Sequence, residues 1–99
     1  MPGYFTLDQF TPEVDSKFLM HYGDGRSAEL QLVSATDIGS SPRQIQFSLI
    51  FQGPTDAPRF QSIFKLEHET LGTLDLFLVP IGINETGLQY EAVFNRIIK

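Results

Sequence analysis

Residues 44–52, Gln44-Ile45-Gln46-Phe47-Ser48-Leu49-Ile50-Phe51-Gln52, decide the fold class. Ile45, Phe47, Leu49 and Phe51 fall on one side of an extended chain, and Gln44, Gln46, Ser48 and Gln52 fall on the other. Side chains alternate across a strand with a period of two, whereas a helix would scatter these residues around its axis. The segment reads as a half-buried β-strand. Its one irregularity is Ile50, an apolar residue on the polar side.

The same rhythm continues on both sides. Residues 16–22 and 27–36 read as a hairpin joined by Gly23-Asp24-Gly25, a glycine turn suited to reversing the chain. Gly39-Ser40-Ser41-Pro42 is a loop, and Gly53-Pro54-Thr55-Asp56-Ala57-Pro58 ends the central strand in a loop longer than a hairpin turn. Residues 62–69 and 73–81 pair through Thr70-Leu71-Gly72, with Phe64, Leu66, Leu74, Leu76 and Leu78 on the core side. Pro80 has no N–H to donate, which places that end of the strand at an edge or a bulge. Residues 82–87 read as the last turn, and 88–97 as the last strand, with Tyr90, Ala92 and Phe94 on one face.

At the front, Thr6-Leu7-Asp8-Gln9 has the form of a capping box, and Phe5 and Phe10 occupy the staple positions around it. Pro12 disfavours helix at Thr11, which confines the helical cap to residues 5–11. The expectation is one all-β domain over residues 1–99. Six antiparallel strands within 16–97 form a small barrel or a compact sandwich, with the short N-terminal helix across an open end.

Composition bounds the chemistry. Ninety-nine residues with 41% hydrophobic content suit one globular domain, and the absence of cysteine excludes disulfides, thiolate metal sites and thiol catalysis. A formal charge of −5 is the wrong sign for a phosphate-binding surface, and the seven basic residues are dispersed, so no nucleic-acid partner is expected. The chain starts with no basic segment and no apolar run, which reads as no signal peptide, and Asn84-Glu85-Thr86 is then expected to be an unused sequon. The longest apolar run, residues 76–81, is far short of the roughly 20 residues of a membrane helix. A soluble cytoplasmic protein with no membrane partner is expected.

No catalytic motif stands out. Alternation puts Glu67 and Glu69 on one face of their strand and His68 on the other, so a single strand cannot gather them around a metal. His21 stands beside the first turn. No serine lies in a Gly-x-Ser-x-Gly elbow, and no glycine turn leads into a helix or carries a phosphate-binding lysine. The reading is a non-enzymatic protein with no cofactor and no metal. About fifteen inward apolar side chains, each contributing roughly 1.5–3 kcal/mol on burial, suffice for one core and leave no surplus for a large cavity.

The most useful anomaly is a second apolar face. If Leu74, Leu76 and Leu78 face the core, then Phe77, Val79 and Ile81 point away, and Val93 and Ile97 fall opposite Tyr90 and Phe94. Ile50 joins them. Single exposed apolar residues need no explanation, but a group of them does. Either the helix and loops cover Ile50, Phe77, Val79, Val93 and Ile97, or these residues contact another chain, itself or another protein. A second expectation is a small-ligand-binding barrel with Tyr22, His68 and Tyr90 at its mouth. A metal-assisted hydrolase using His21, His68 and a glutamate has the weakest support of the three.

Three stretches carry a family resemblance: Phe47-Ser48-Leu49-Ile50-Phe51-Gln52-Gly53-Pro54, the run from Leu66-Glu67-His68-Glu69 to Leu78-Val79-Pro80-Ile81-Gly82, and Tyr90-Glu91-Ala92-Val93-Phe94-Asn95. With Phe5-Thr6-Leu7-Asp8-Gln9-Phe10-Thr11-Pro12, they span nearly the whole chain. In these the chain resembles an uncharacterised family of small bacterial all-β domains. The resemblance implies an association with phage-tail-collar and tail-fibre-like proteins in bacterial gene clusters, and it implies no catalytic residues. The chain departs from the family pattern at Glu13 and Asp15, where small or apolar residues and a glycine are usual.

Overall fold

The computed structural model describes residues 5–97, so residues 1–4 and 98–99 of the domain expected over 1–99 lie outside the described residues. A short helix α1 (Leu7–Phe10) runs into a 3₁₀ turn (Thr11–Glu13). Six strands follow: β1 (Lys17–Tyr22), β2 (Arg26–Asp37), β3 (Gln44–Gly53), β4 (Ser62–His68), β5 (Gly72–Asn84) and β6 (Gly87–Ile97). All pair antiparallel and close into a ring in the order β1-β2-β3-β6-β5-β4. The all-β expectation holds, and closure makes the sheet a barrel. Because β3 lies between β2 and β6 while β4 lies between β5 and β1, the loop over 54–61 crosses from one side of the barrel to the other. Among the described residues no helix is long and apolar enough to cross a membrane.

The two longest strands make the corners. In β2, residues 26–31 pair with β1 and residues 31–37 pair with β3, with a register shift between Leu32 and Ser34. In β5, residues 72–78 pair with β4 and residues 79–84 pair with β6, with a shift between Pro80 and Gly82. A strand that bulges and changes partner lets one continuous sheet fold over itself. The bulge beside Pro80 is the one its missing N–H implied.

Two local boundaries differ from the sequence reading. The turn expected over 82–87 shrinks to Glu85 and Thr86, because β5 continues through Ile83, paired with Leu88, to Asn84. Asn84 makes so short a turn possible: its Oδ1 accepts the Thr86 N–H at 3.0 Å and the Gly87 N–H at 3.1 Å. The helical cap expected over 5–11 continues to Glu13 as the 3₁₀ turn, and Thr11 is helical with φ −55° despite preceding Pro12. Pro12 lies in the first turn of the 3₁₀ segment, where a missing N–H costs nothing, and the Thr11 hydroxyl donates to the Leu7 carbonyl at 3.0 Å. The reach-back bond of the capping box is present, from the Thr6 N–H to Gln9 Oε1 at 2.7 Å.

Apolar side chains from all six strands fill the interior, and different segments close its ends. Phe10 is fully buried, with its ring 6.0 Å from Phe47, 5.6 Å from Phe94 and 5.7 Å from Phe5. At the other end the 54–61 loop buries Ala57 and Pro58, and the Tyr90 hydroxyl donates to the Pro58 carbonyl. Asp15 holds a left-handed φ of +77° where glycine would be unstrained. That conformation lets the Asp15 N–H reach the Leu32 carbonyl at 2.7 Å, and the Leu32 N–H returns to the Ser16 carbonyl at 3.1 Å. The 3₁₀ turn is thereby tied to β2 at its bulge.

Candidate functional site

Apolar residues point outward from β4, β5, β6 and β3. Phe77, Val93 and Ile97 are 51%, 56% and 62% exposed, and Ile50 and Val79 are half-buried. Register explains the difference. Ile50 and Val79 both pair with Glu91, one from each side, so the Glu91 stem shields them while its carboxylate accepts the Ser48 hydroxyl at 2.8 Å. Val93 stands beside Ser48, and Phe77 stands directly across from Ile63, itself 68% exposed. Helix α1 turns its one fully buried side chain, Phe10, into the core. Among the described residues neither helix nor loop covers Phe77, Val93 or Ile97.

Ile63 was missing from the expected face. Its alternation with Phe64 and Leu66 points it outward, but only register places it against Phe77.

Within this field the β5–β6 ladder covers only part of the two strands. Residues 72–78 of β5 pair only with β4, and residues 92–97 of β6 pair only with β3. Between these two half-strands opens a cleft of about 530 Å³. Phe5, Ile45, Phe47, Leu74, Leu76 and Phe94 line it, with exposed Thr73, Asp75 and Asn95 along its sides. The Phe47 and Phe94 rings stack at 4.5 Å with planes 9° apart, which makes one wall flat. The cleft is a groove open to the outside and not an enclosed cavity within the core. Counting apolar side chains measures how much core there is and says nothing about whether the wall around it closes.

The residues expected at a ligand mouth do not share one place. Tyr90 is fully buried, with its hydroxyl on Pro58. Burial, and secondarily the nearby Tyr22, pushes its pKa up to about 12. Tyr22 lines a shallow depression with Asp24, Arg26, Asp56 and Phe60 at the same end. His68 lies near the start of β1, 4.3 Å from the Phe18 ring, and both its nitrogens are engaged. Nδ1 accepts the Thr70 and Leu71 N–H groups at 3.0 and 3.1 Å, and Nε2 lies 2.8 Å from Ser16 Oγ. None of the three lines the cleft between β5 and β6.

The histidines also stay apart. His68 points inward with Phe64 and Leu66, whereas His21 lies outside, its Nε2 against Glu67 Oε1. Among the described residues no group of three or more histidines, aspartates or glutamates could hold a metal ion.

No curated protein and no solved structure matches the chain. One family model does, over residues 5–94, a span that takes in the helix and the six strands as far as Phe94. The match covers well over half of the chain, and the protein belongs to the family described as Domain of unknown function (DUF6916).

Proposed function

We propose that this domain is a non-enzymatic interaction module that docks onto a second protein chain, a copy of itself or another protein, through the outer apolar field of β3 to β6. The observation that carries this reading is that Phe77 pairs directly with Ile63, while Val93 points outward on β6, each of the three more than half exposed. Grouped apolar exposure of this kind marks interaction surfaces in soluble proteins. The sequence resemblance points to tail-collar or tail-fibre-like proteins as the other chain. Val93→Asp tests the docking. Position 93 is exposed, so the variant should fold with an unchanged far-ultraviolet spectrum while its sedimentation shifts toward the monomer or its partner binding falls. A well-folded variant with unchanged sedimentation and partner binding removes the reading.

A second reading, a small-ligand-binding barrel, has one observation in its favour. The cleft of about 530 Å³ has a flat aromatic wall and an apolar lining, within the roughly 300–1,000 Å³ of small-molecule sites. Its ligand would sit against Phe47 and Phe94, away from Tyr22, His68 and Tyr90. Titration with an apolar fluorescent dye checks it: displacement or quenching that Phe94→Ala abolishes supports the reading, and no saturable binding removes it.

A further inference from the structure

Three turns of this barrel are fixed by the same device, and one of them uses a different kind of atom. Asp37, the last residue of β2, accepts the Gly39 and Ser40 N–H groups on Oδ1, both at 2.9 Å. Asn84, the last residue of β5, accepts the Thr86 and Gly87 N–H groups on Oδ1 at 3.0 and 3.1 Å. His68, the last residue of β4, accepts the Thr70 and Leu71 N–H groups on Nδ1 at 3.0 and 3.1 Å. Each strand-ending side chain takes up the N–H groups two and three residues further on, which shapes the turn. The Asn84 amide oxygen takes up no proton near neutrality, and the Ser40 and Gly39 bonds hold the Asp37 carboxyl below its ordinary range. An imidazole nitrogen differs from both. Histidine is the side chain that changes charge between about pH 5 and 8, and in the charged ring both nitrogens carry a proton and neither can accept.

The other edge of the ring suits the charged form. Nε2 lies 2.8 Å from Ser16 Oγ and 3.5 Å from Glu13 Oε1, and the Ser16 hydroxyl donates to the Glu13 carbonyl at 2.6 Å. The side chain is almost fully buried, with the Phe18 ring of β1 at 4.3 Å. Among the described residues Glu13 is the one charged group within ion-pair distance of it. Glu67, beside it on β4, points outward to His21, and Lys17 of β1 points outward to Glu29. Asp15 and Glu69 are exposed.

We infer that the β4–β5 turn is a proton-sensitive joint: a proton taken up from solvent at His68 Nδ1 releases the Thr70 and Leu71 N–H groups, while Ser16 and Glu13 keep hold of the ring. The lone pair that accepted the two N–H groups now holds the proton, and the Glu13 carboxylate faces the new positive charge. The ring therefore keeps its place against Phe18, and the turn gives way. Leu71 goes with it. In the closed turn Leu71 packs half-buried against the core, and the next residue, Gly72, pairs with His68 at the end of the β4–β5 ladder. Opening the turn loosens the start of β5, where Thr73 lines the cleft. This joint operates whether or not a second chain docks on the outer face.

The test uses the intact chain. Nitrogen NMR of the imidazole follows protonation of His68, and amide exchange, taken relative to an unstructured peptide at the same pH, follows the turns. From about pH 8 to about pH 5, protection of the Thr70 and Leu71 amides should fall at least about tenfold in step with the ring, while that of Gly39, Ser40, Thr86 and Gly87 holds. His68→Asn keeps an acceptor that does not titrate, as Asn84 does, so its Thr70 and Leu71 amides should stay protected throughout. Glu13→Gln removes the carboxylate that faces the charged ring, so the loss of protection should move to lower pH.

Protection that persists while both ring nitrogens carry protons overturns the joint. So does a fall shared equally by the other two turns, or a ring that stays neutral until the whole domain unfolds. A pH-dependent fall that survives in His68→Asn has the same consequence. Should His68→Asn fail to fold, Glu13→Gln decides, and a transition that stays in place or moves to higher pH overturns the inference.

Discussion

The Tyr90 hydroxyl donates its hydrogen bond to the Pro58 carbonyl, so a core residue of β6 holds the loop that crosses from β3 to β4. Tyr90 is fully buried and Pro58 is buried with it. Tyr90→Phe keeps the ring and removes the donor, stranding a buried carbonyl at a cost of about 1–3 kcal/mol. The expected result is a lower midpoint in thermal unfolding, by roughly 4–8 °C for each kcal/mol in a domain of this size. An unchanged midpoint would show that the bond is replaced by water and that the loop is held by Ala57 alone.

The same hydroxyl sets a response to alkali. Burial holds the Tyr90 pKa at about 12 in the folded chain, against an ordinary 10.0. Below pH 10 both states keep the proton, and the contribution to stability is intact. Between pH 10 and 12 the unfolded chain ionises while the folded chain does not, so stability falls as pH rises through that window. Tyrosinate absorbance of the native protein should show one tyrosine titrating late. Tyr90→Phe should lose that late step, and its denaturation midpoint should fall less steeply over the same range.

His68 ties three segments together. Its Nδ1 accepts two turn N–H groups, which puts the ring proton on Nε2, directed at the Ser16 hydroxyl, and that hydroxyl donates to the Glu13 carbonyl at 2.6 Å. His68→Ala removes these bonds and the ring against Phe18, and about 2–4 kcal/mol of stability should go with them. Chemical denaturation measures the loss, and nitrogen NMR of the native imidazole should report the Nε2–H tautomer.

Gly87 and Gly25 separate two reasons for a turn glycine. Both have positive φ, +137° and +82°. A Cβ at Gly87 would lie 2.0 Å from the Gly53 carbonyl oxygen, whereas at Gly25 it would meet nothing within 4 Å. Gly25→Ala should cost about 1 kcal/mol of backbone strain, and Gly87→Ala upward of about 3 kcal/mol because β3 or the turn must move. Equal losses in a denaturation series would show that close approach to Gly53 is not what Gly87 provides.

Much of the fold was legible because a strand announces itself locally. The alternation of Ile45, Phe47, Leu49 and Phe51 appears in the structure as three buried side chains and one half-buried one on a single face. Thr6 and Gln9 likewise mark a helix start within four residues of chain. Boundaries slipped where a turn borrowed a side chain: Asn84 looked like part of a loop, and its Oδ1 is what allows β5 to run so far.

The candidate site was legible by halves. Phe77, Val93 and Ile97 could be assigned outward from parity alone, since a residue's face follows from its odd or even position along the strand. Ile63 beside Phe77, and Glu91 between Ile50 and Val79, could not, because register depends on which strand lies next to which. Tyr22, His68 and Tyr90 each carry a polar tip, but β1 and β4 carry His68 to the helix end while Tyr22 and Tyr90 meet at the loop end.

The sequence by itself determined that this chain is a single all-β domain with a helical cap, that it lacks thiol chemistry, and that it has more apolar strand residues than one inward face can use. These are properties of composition and of a two-residue period, both of which are written along the chain. Only the tertiary structure decided that the sheet closes, that β2 and β5 change partners at their bulges, and that the β5–β6 ladder covers only part of each strand. Those outcomes depend on how far each strand runs before its hydrogen-bonding edge meets a different neighbour. That meeting joins residues far apart in sequence, such as Phe47 with Phe94, and no local pattern records it.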